Sequence, residues 1–144
     1  MTDVGQVAKE FVEAFNAHDE TRIRESYAEN VVFEAPGGIR MQGRDAATEY
    51  AMSFVRAFPD VRLTVANQVE GDDWVAFEMS FAGTHQDTLE APGGAIPATN
   101  RRVTGKGAEF IRIEDGKVAE EHLYFDQVEF LAQLGVMEQE ATTA

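Results

Sequence analysis

Residues Arg101 to Gly135 read RRVTGKGAEFIRIEDGKVAEEHLYFDQVEFLAQLG, two strand-like runs about an Asp-Gly pair and then a helical run. Asp115-Gly116 between β-branched and aromatic residues is a two-residue hairpin signal, because such turns need positive φ. Counting outward from that turn puts Glu114 opposite Lys117, Ile113 opposite Val118, Ile111 opposite Glu120, and Glu109 opposite His122. Side chains two apart share a strand face, so Glu120, His122, Tyr124 and Asp126 are expected together, with Glu109 beside His122. Such a face is either a solvated surface or the wall of a site. The helical run starts near Asp126 or Gln127, buries Val128, Leu131 and Leu134, and stops at Gly135 in the left-handed conformation.

Upstream, WVAFEMSFAGTH (Trp74 to His85) alternates Val75, Phe77, Met79 and Phe81 with polar or small residues. With VRLTVANQVE before it and the turn Gly71 to Asp73 between, it reads as a second hairpin with one apolar face. Continuing the alternation carries Gly83 and His85 inward. The Gly- and Pro-rich stretch from Gln86 to Asn100 is expected to be a loop, of a length more often used for lids than for plain connections. EAPGG occurs at Glu34 to Gly38 and again at Glu90 to Gly94, which is turn chemistry used twice.

The N-terminal third is helical. Val4, Val7, Ala8, Phe11 and Phe15 recur at intervals of three and four, an amphipathic stripe. After Asn16 to Asp19 (NAHD), Asp19 caps a shorter helix with Ile23 and Tyr27 on its buried side, and His18 lies in the surface turn between the two. Val31 to Ala35 reads as a short strand. A third helix from Arg44 carries Ala47, Tyr50, Ala51, Phe54 and Phe58 along one side until Pro59 ends it. Helices followed by a mainly antiparallel sheet and one closing helix make an α+β fold, a curved sheet wrapped by the N-terminal helices about a pocket. Phe33, Tyr50, Phe54 and Phe81 then belong to core wall and pocket wall alike, and are the candidate substrate contacts with Glu109 and Tyr124.

Composition narrows the function classes. A chain of 144 residues with 44% apolar content is expected to form one domain, over residues 1–137, with 138–144 as a loose tail. Twelve Lys and Arg against 26 Asp and Glu, a net charge of -14, repel a phosphate backbone and make nucleic acid an unsuitable partner. No apolar run approaches the ~20 residues of a membrane span, and the N-terminal residues lack a signal-peptide pattern, so the expectation is a cytoplasmic protein without a membrane partner. With no cysteine, thiolate nucleophiles, thiolate metal sites and disulfides are excluded.

NAHD, AFPDVRLTV, GTH, RIEDGKV and the closing Asp126 with FLAQLG, in that order across Val4 to Gly135, resemble the SnoaL-like polyketide cyclases of the nuclear-transport-factor-2-like (NTF2-like) superfamily. The resemblance implies a cone-shaped cavity open at one end, a homodimer packed through the outer sheet face, and catalysis of a small-molecule reaction with no metal and no organic cofactor. It also assigns the acid/base role to Asp126. Two positions depart from the family pattern. His122 stands where a bulky residue, commonly tryptophan, is usual, and Asn100 where the family usually has glycine.

The reaction expected on these grounds is closure of a poly-β-ketone by intramolecular aldol addition, which needs a base for an acidic C–H and a donor for the new alkoxide. Asp126 is the candidate for both, with His85 and His122 donating to the oxyanion or orienting the carboxylate, and Glu109 supporting His122. Burial beside Phe81, Tyr124 and Phe125 would raise the Asp126 pKa, as would Glu109, whereas a protonated His122 would lower it. An Asp directly before a helix is also an ordinary N-cap, and His85, His122 and Glu109 have no spacing typical of a metal site. Two further readings stay open: isomerisation, hydration or epoxide opening in the manner of ketosteroid isomerase relatives, and a non-catalytic ligand-binding or dimerisation module.

Overall fold

The computed structural model describes residues 3–137 of the chain, and the expected C-terminal tail lies outside the described residues. Three helices are started by aspartates. Asp3 accepts from the Gln6 amide at 3.1 Å and opens α1 (Val4–Asn16), while Asp19 accepts from Arg22 at 3.1 Å and opens α2 (Glu20–Ser26). Each such cap satisfies an otherwise unpaired amide and stabilises by about 1 kcal/mol. The strand expected at Val31 starts earlier, as β1 (Tyr27–Ala35), so Tyr27 is a strand residue rather than part of the helix before it.

The first EAPGG forms the turn into β2 (Ile39–Gln42), and α3 (Arg44–Ala57) follows. Next come β3 (Arg62–Glu70) and β4 (Trp74–Thr84), the expected hairpin. The stretch expected to be a loop instead holds a hairpin of β5 (Leu89–Ala91) and β6 (Gly94–Ile96), turned by the second EAPGG. Leu89 and Ile96 are cross-strand partners, and both are buried beneath the hairpin. Two apolar side chains on one face are enough to bind so short a ribbon to a core. The two EAPGG turns also meet: a Cβ on Gly37 would lie 2.6 Å from Cγ of Pro92, so only glycine fits there.

The last hairpin is β7 (Arg102–Glu114) and β8 (Lys117–Phe125), and α4 (Gln127–Gln133) closes the chain. The large sheet has the order β2-β1-β8-β7-β4-β3, antiparallel except for the parallel pair of β1 with β8. It curves around two apolar clusters. One joins Phe11, Ile23, Tyr27, Val31, Phe33, Phe77 and Met79 under α1 and α2, and the other joins Phe58, Val61, Leu89, Val103, Phe130 and Leu134 toward α4.

The β7–β8 register departs from the expectation in one consequential way. Glu114 pairs with Lys117 and Ile113 with Val118 as counted, but the ladder then skips Ala119, so Arg112 pairs with Glu120, Ile111 with Glu121, Phe110 with His122 and Glu109 with Leu123. Ala119 is the extra residue of a β-bulge. One extra residue exchanges the two faces for everything beyond it.

Candidate functional site

The inward face beyond the bulge carries Glu121, Leu123 and Phe125 on β8, and Glu109, Ile111 and Ile113 on β7. Opposite this face stand α1 and α3. Between them lies a cavity of about 110 Å³ whose walls are chiefly aromatic, with Phe11, Phe33, Phe54, Phe81 and Phe130 among them. Its polar groups are gathered near one another: Glu109, Glu121, Tyr27 and Tyr50.

Glu109 and Glu121 are diagonal neighbours across the ladder, a separation that two long side chains can bridge, and their carboxyls hydrogen-bond each other. Each is only 4% exposed. The Tyr27 hydroxyl donates to Glu121 Oε1 at 2.6 Å. Burial pushes the Glu109 carboxyl well above the usual carboxylate range, and the neighbouring Glu121 charge pushes it further. Burial raises Glu121 as well, but hydrogen bonds from Glu109 and Tyr27 oppose that rise. The Tyr27 hydroxyl favours the ionised form of Glu121 over that of Glu109, and burial favours a proton shared by the pair. Tyr50, raised by burial and by both glutamates, stays a protonated donor.

A buried carboxyl with a raised pKa carries a sign for stability. The folded chain holds protons that the unfolded chain, with a glutamate pKa of about 4.3, has released, so stability is greatest below that value and declines as pH rises toward the folded pKa. Glu109→Gln is expected to melt above the wild type at pH 8, by on the order of 1 kcal/mol or roughly 3–5 °C, and to show a flatter profile between pH 5 and pH 8. Thermal unfolding across that range is the measurement, and a variant less stable than wild type at pH 8 contradicts the assignment.

Among the residues expected from sequence, Glu109, Phe33, Tyr50, Phe54 and Phe81 line this cavity, whereas Asp126, His85, His122 and Tyr124 do not. The pairing of Glu109 with His122 is corrected by the bulge, which turns His122 and Tyr124 to the outer face. There His122 lies 3.4 Å from Glu34 and 3.6 Å from Glu120, beside Trp74, and Tyr124 is 56% exposed. Asp126 is an exposed N-cap, accepting from the Glu129 amide at 3.0 Å. The surroundings expected for it, Glu109 and a burying aromatic wall, belong to the other face of the strand.

His85 points inward as the alternation of β4 requires, and is fully buried, but it sits behind Phe58 with their rings 5.2 Å apart. Its Nδ1 accepts from the Thr99 amide at 3.2 Å, its backbone pairs with Arg101 and Asn100, and burial holds its pKa below the usual histidine value. It therefore ties the base of the β5–β6 excursion to the sheet. His85, His122 and Glu109 are not brought together, and among the described residues no three His, Asp or Glu side chains are grouped to hold a metal ion. His18, in the turn between α1 and α2, bonds the Val61 carbonyl at 2.8 Å through Nε2.

Glu121 and Tyr27 were missed by reasoning outward from the turn. The signal for Glu121 was the apolar alternation itself. Leu123 and Phe125 mark the inward face of β8, and a glutamate in step with them is a charge placed where the pattern demands an apolar residue.

No curated protein matches the sequence at a significant level. Among solved structures, IdmH from Streptomyces antibioticus, a proposed polyketide cyclase, is 29% identical with a TM-score of 0.76, over 94% of this chain and 100% of that one. AclR from Streptomyces galilaeus, a proposed hydroxylase, is 24% identical with a TM-score of 0.79, over 94% of this chain and 87% of that one. An LEH-like epoxide hydrolase from M. tuberculosis shares the fold at 15% identity and a TM-score of 0.70, over 91% and 88% of the two chains. The curved sheet and its enclosing helices are thus shared with proteins described by differing chemistry. The sequence pattern is more selective than the shape: the SnoaL-like polyketide cyclase pattern matches residues 5–134, and the chain belongs to that family.

Proposed function

We propose that the cavity is the active site of an acid/base enzyme for a small, largely apolar carbonyl compound, with ring closure by intramolecular aldol addition as the reaction it suits best. The carrying observation is the hydrogen-bonded pair of buried carboxyls, Glu109 and Glu121, on an aromatic cavity. Glu121, ionised and held by Tyr27, takes a proton from the carbon between two carbonyls. The resulting enolate carbon bonds to a second carbonyl carbon, whose oxygen becomes an alkoxide and takes the proton of Glu109. Tyr50 donates to the enolate oxygen. The atoms balance, since one proton has moved from carbon to oxygen and one carbon–carbon bond has formed. Glu121 then carries the proton that Glu109 has lost, and transfer along their hydrogen bond restores the starting state.

This reading moves proton transfer from Asp126, His85 and His122 to the glutamate pair. Because the first half-reaction needs no knowledge of the natural substrate, deuterium uptake at the α-carbon of small cyclic ketones in D₂O, followed by NMR, tests it. Exchange at the buffer rate across a panel that fits the cavity would favour the non-catalytic module. The pair also suits epoxide opening, in which Glu109 protonates the oxygen and Glu121 activates water. Product mass separates the two, because opening adds one water whereas aldol closure leaves the mass unchanged.

The outer sheet face supports the homodimer. Trp74, Phe110 and Tyr124 stand on it, 37%, 46% and 56% exposed, with the Phe110 and Tyr124 rings 6.1 Å apart, an apolar patch on strands that pair edge to edge. Light scattering is expected to give a dimer for the wild type and a monomer for Phe110→Glu, which places a charge within that patch. A wild-type monomer at tens of micromolar removes the assignment.

A further inference from the structure

Among the described residues, neither Glu109 nor Glu121 forms an ion pair with Lys, Arg or His. Buried carboxylates are ordinarily paired or neutralised, so this pair lacks the cation that would let both ionise. The walls around it are suited to supply the rest of a cation's environment. Tyr27 meets Phe11 edge-on at 5.5 Å, and the Phe33 ring lies 4.6 Å from that of Tyr50, so that a run of rings lines the same cavity as the carboxyls. Aromatic faces attract an ammonium group in place of water. Away from the carboxyls the cavity is bounded by Phe54, Phe58, Phe81, Phe125 and Phe130, an apolar end with no charge.

We infer that this cavity accepts a compact organic cation, a primary amine on a single apolar ring, with the ammonium against the Glu109–Glu121 pair and the ring among the phenylalanines. The inference rests on the cavity being a ligand site, as proposed above, and not on the proton transfer assigned there. Size sets one ring as the upper limit: the volume of about 110 Å³ compares with roughly 150 Å³ for an engineered apolar cavity that takes benzene. The net charge of -14 raises the concentration of cations near the mouth. An anion of the same size meets two carboxyls and no compensating donor except the tyrosines.

The experiment titrates the full chain by calorimetry with benzylamine, benzyl alcohol and benzoate, which differ chiefly in the charge of one group. Benzylamine is expected to bind at least about tenfold more tightly than benzyl alcohol, and benzoate not measurably. In Glu109→Gln and Glu121→Gln the preference for the amine over the alcohol should fall to near unity, with alcohol binding and melting curves showing that each variant is folded. Equal affinity of the wild type for amine and alcohol overturns the inference in favour of a neutral ligand. An amine preference that survives both substitutions, or no binding of either compound, also overturns it. Its failure is separable from failure of the proton-transfer reading, since deuterium uptake uses uncharged ketones and is unaffected by the amine result.

Discussion

Glu121→Gln is expected to lower turnover by about 10²–10⁴-fold while leaving affinity for an uncharged ketone within a few-fold of wild type, the signature of a lost proton acceptor rather than a lost contact. Glutamine keeps the volume and can still accept from the Tyr27 hydroxyl, which now donates to Glu121 at 2.6 Å. The fold therefore has little reason to suffer. Asp126→Asn supplies the contrast, because asparagine caps a helix as well as aspartate does and the side chain lies outside the cavity. Its turnover should stay within about twofold of wild type, as should that of His122→Gln on the outer face. If Asp126→Asn loses turnover and Glu121→Gln keeps it, the assignment of the chemistry to the pair is wrong. Tyr27→Phe falls between: removing the hydrogen bond that favours ionised Glu121 should move the acidic limb of the pH–rate profile upward, an effect that lost packing alone does not produce.

Phe33→Ala is expected to cost about 3–5 kcal/mol, or roughly 10–20 °C in melting temperature for a chain of this length. Phe33 is 1% exposed, its ring lies 4.6 Å from that of Tyr50, and on β1 it is paired with Glu121 of β8. The side chain is therefore core on one side and cavity wall on the other. Truncation merges the vacated space with the existing cavity, and the rigid sheet behind cannot collapse to refill it. Water admitted beside Glu121 should also relieve part of its burial, so the variant loses both stability and the raised carboxyl pKa. Chemical denaturation measures the first, and a cost below about 1 kcal/mol would show that the wall at Phe33 can repack.

Much of the fold could be read from periodicity. The stripe of Val4, Val7, Ala8, Phe11 and Phe15, the alternation through Phe77, Met79 and Phe81, and Asp115-Gly116 are local patterns, and local patterns suffice where backbone and solvent contrast decide the structure. The β5–β6 ribbon was not legible, since Leu89 and Ile96 alone among glycines and prolines carry too little pattern to announce a hairpin. The bulge at Ala119 was not legible from the turn either, although the apolar residues beyond it already marked the inward face.

For the site the boundary is sharper. Sequence alone determined the class of protein, through an acidic, cysteine-free chain whose ordered motifs mark the SnoaL-like family, and it determined Glu109 and the aromatic lining as candidates. Which carboxyl meets Glu109 was decided only in three dimensions. A single additional backbone residue in β8 exchanges Glu120 and His122 for Glu121 at the cavity, and the preference for that arrangement comes from burying Leu123 and Phe125 together with the wall built by α1 and α3. Tyr27 reaches Glu121 because β1 runs parallel to β8, a contact between residues 94 apart in the chain that no local pattern encodes.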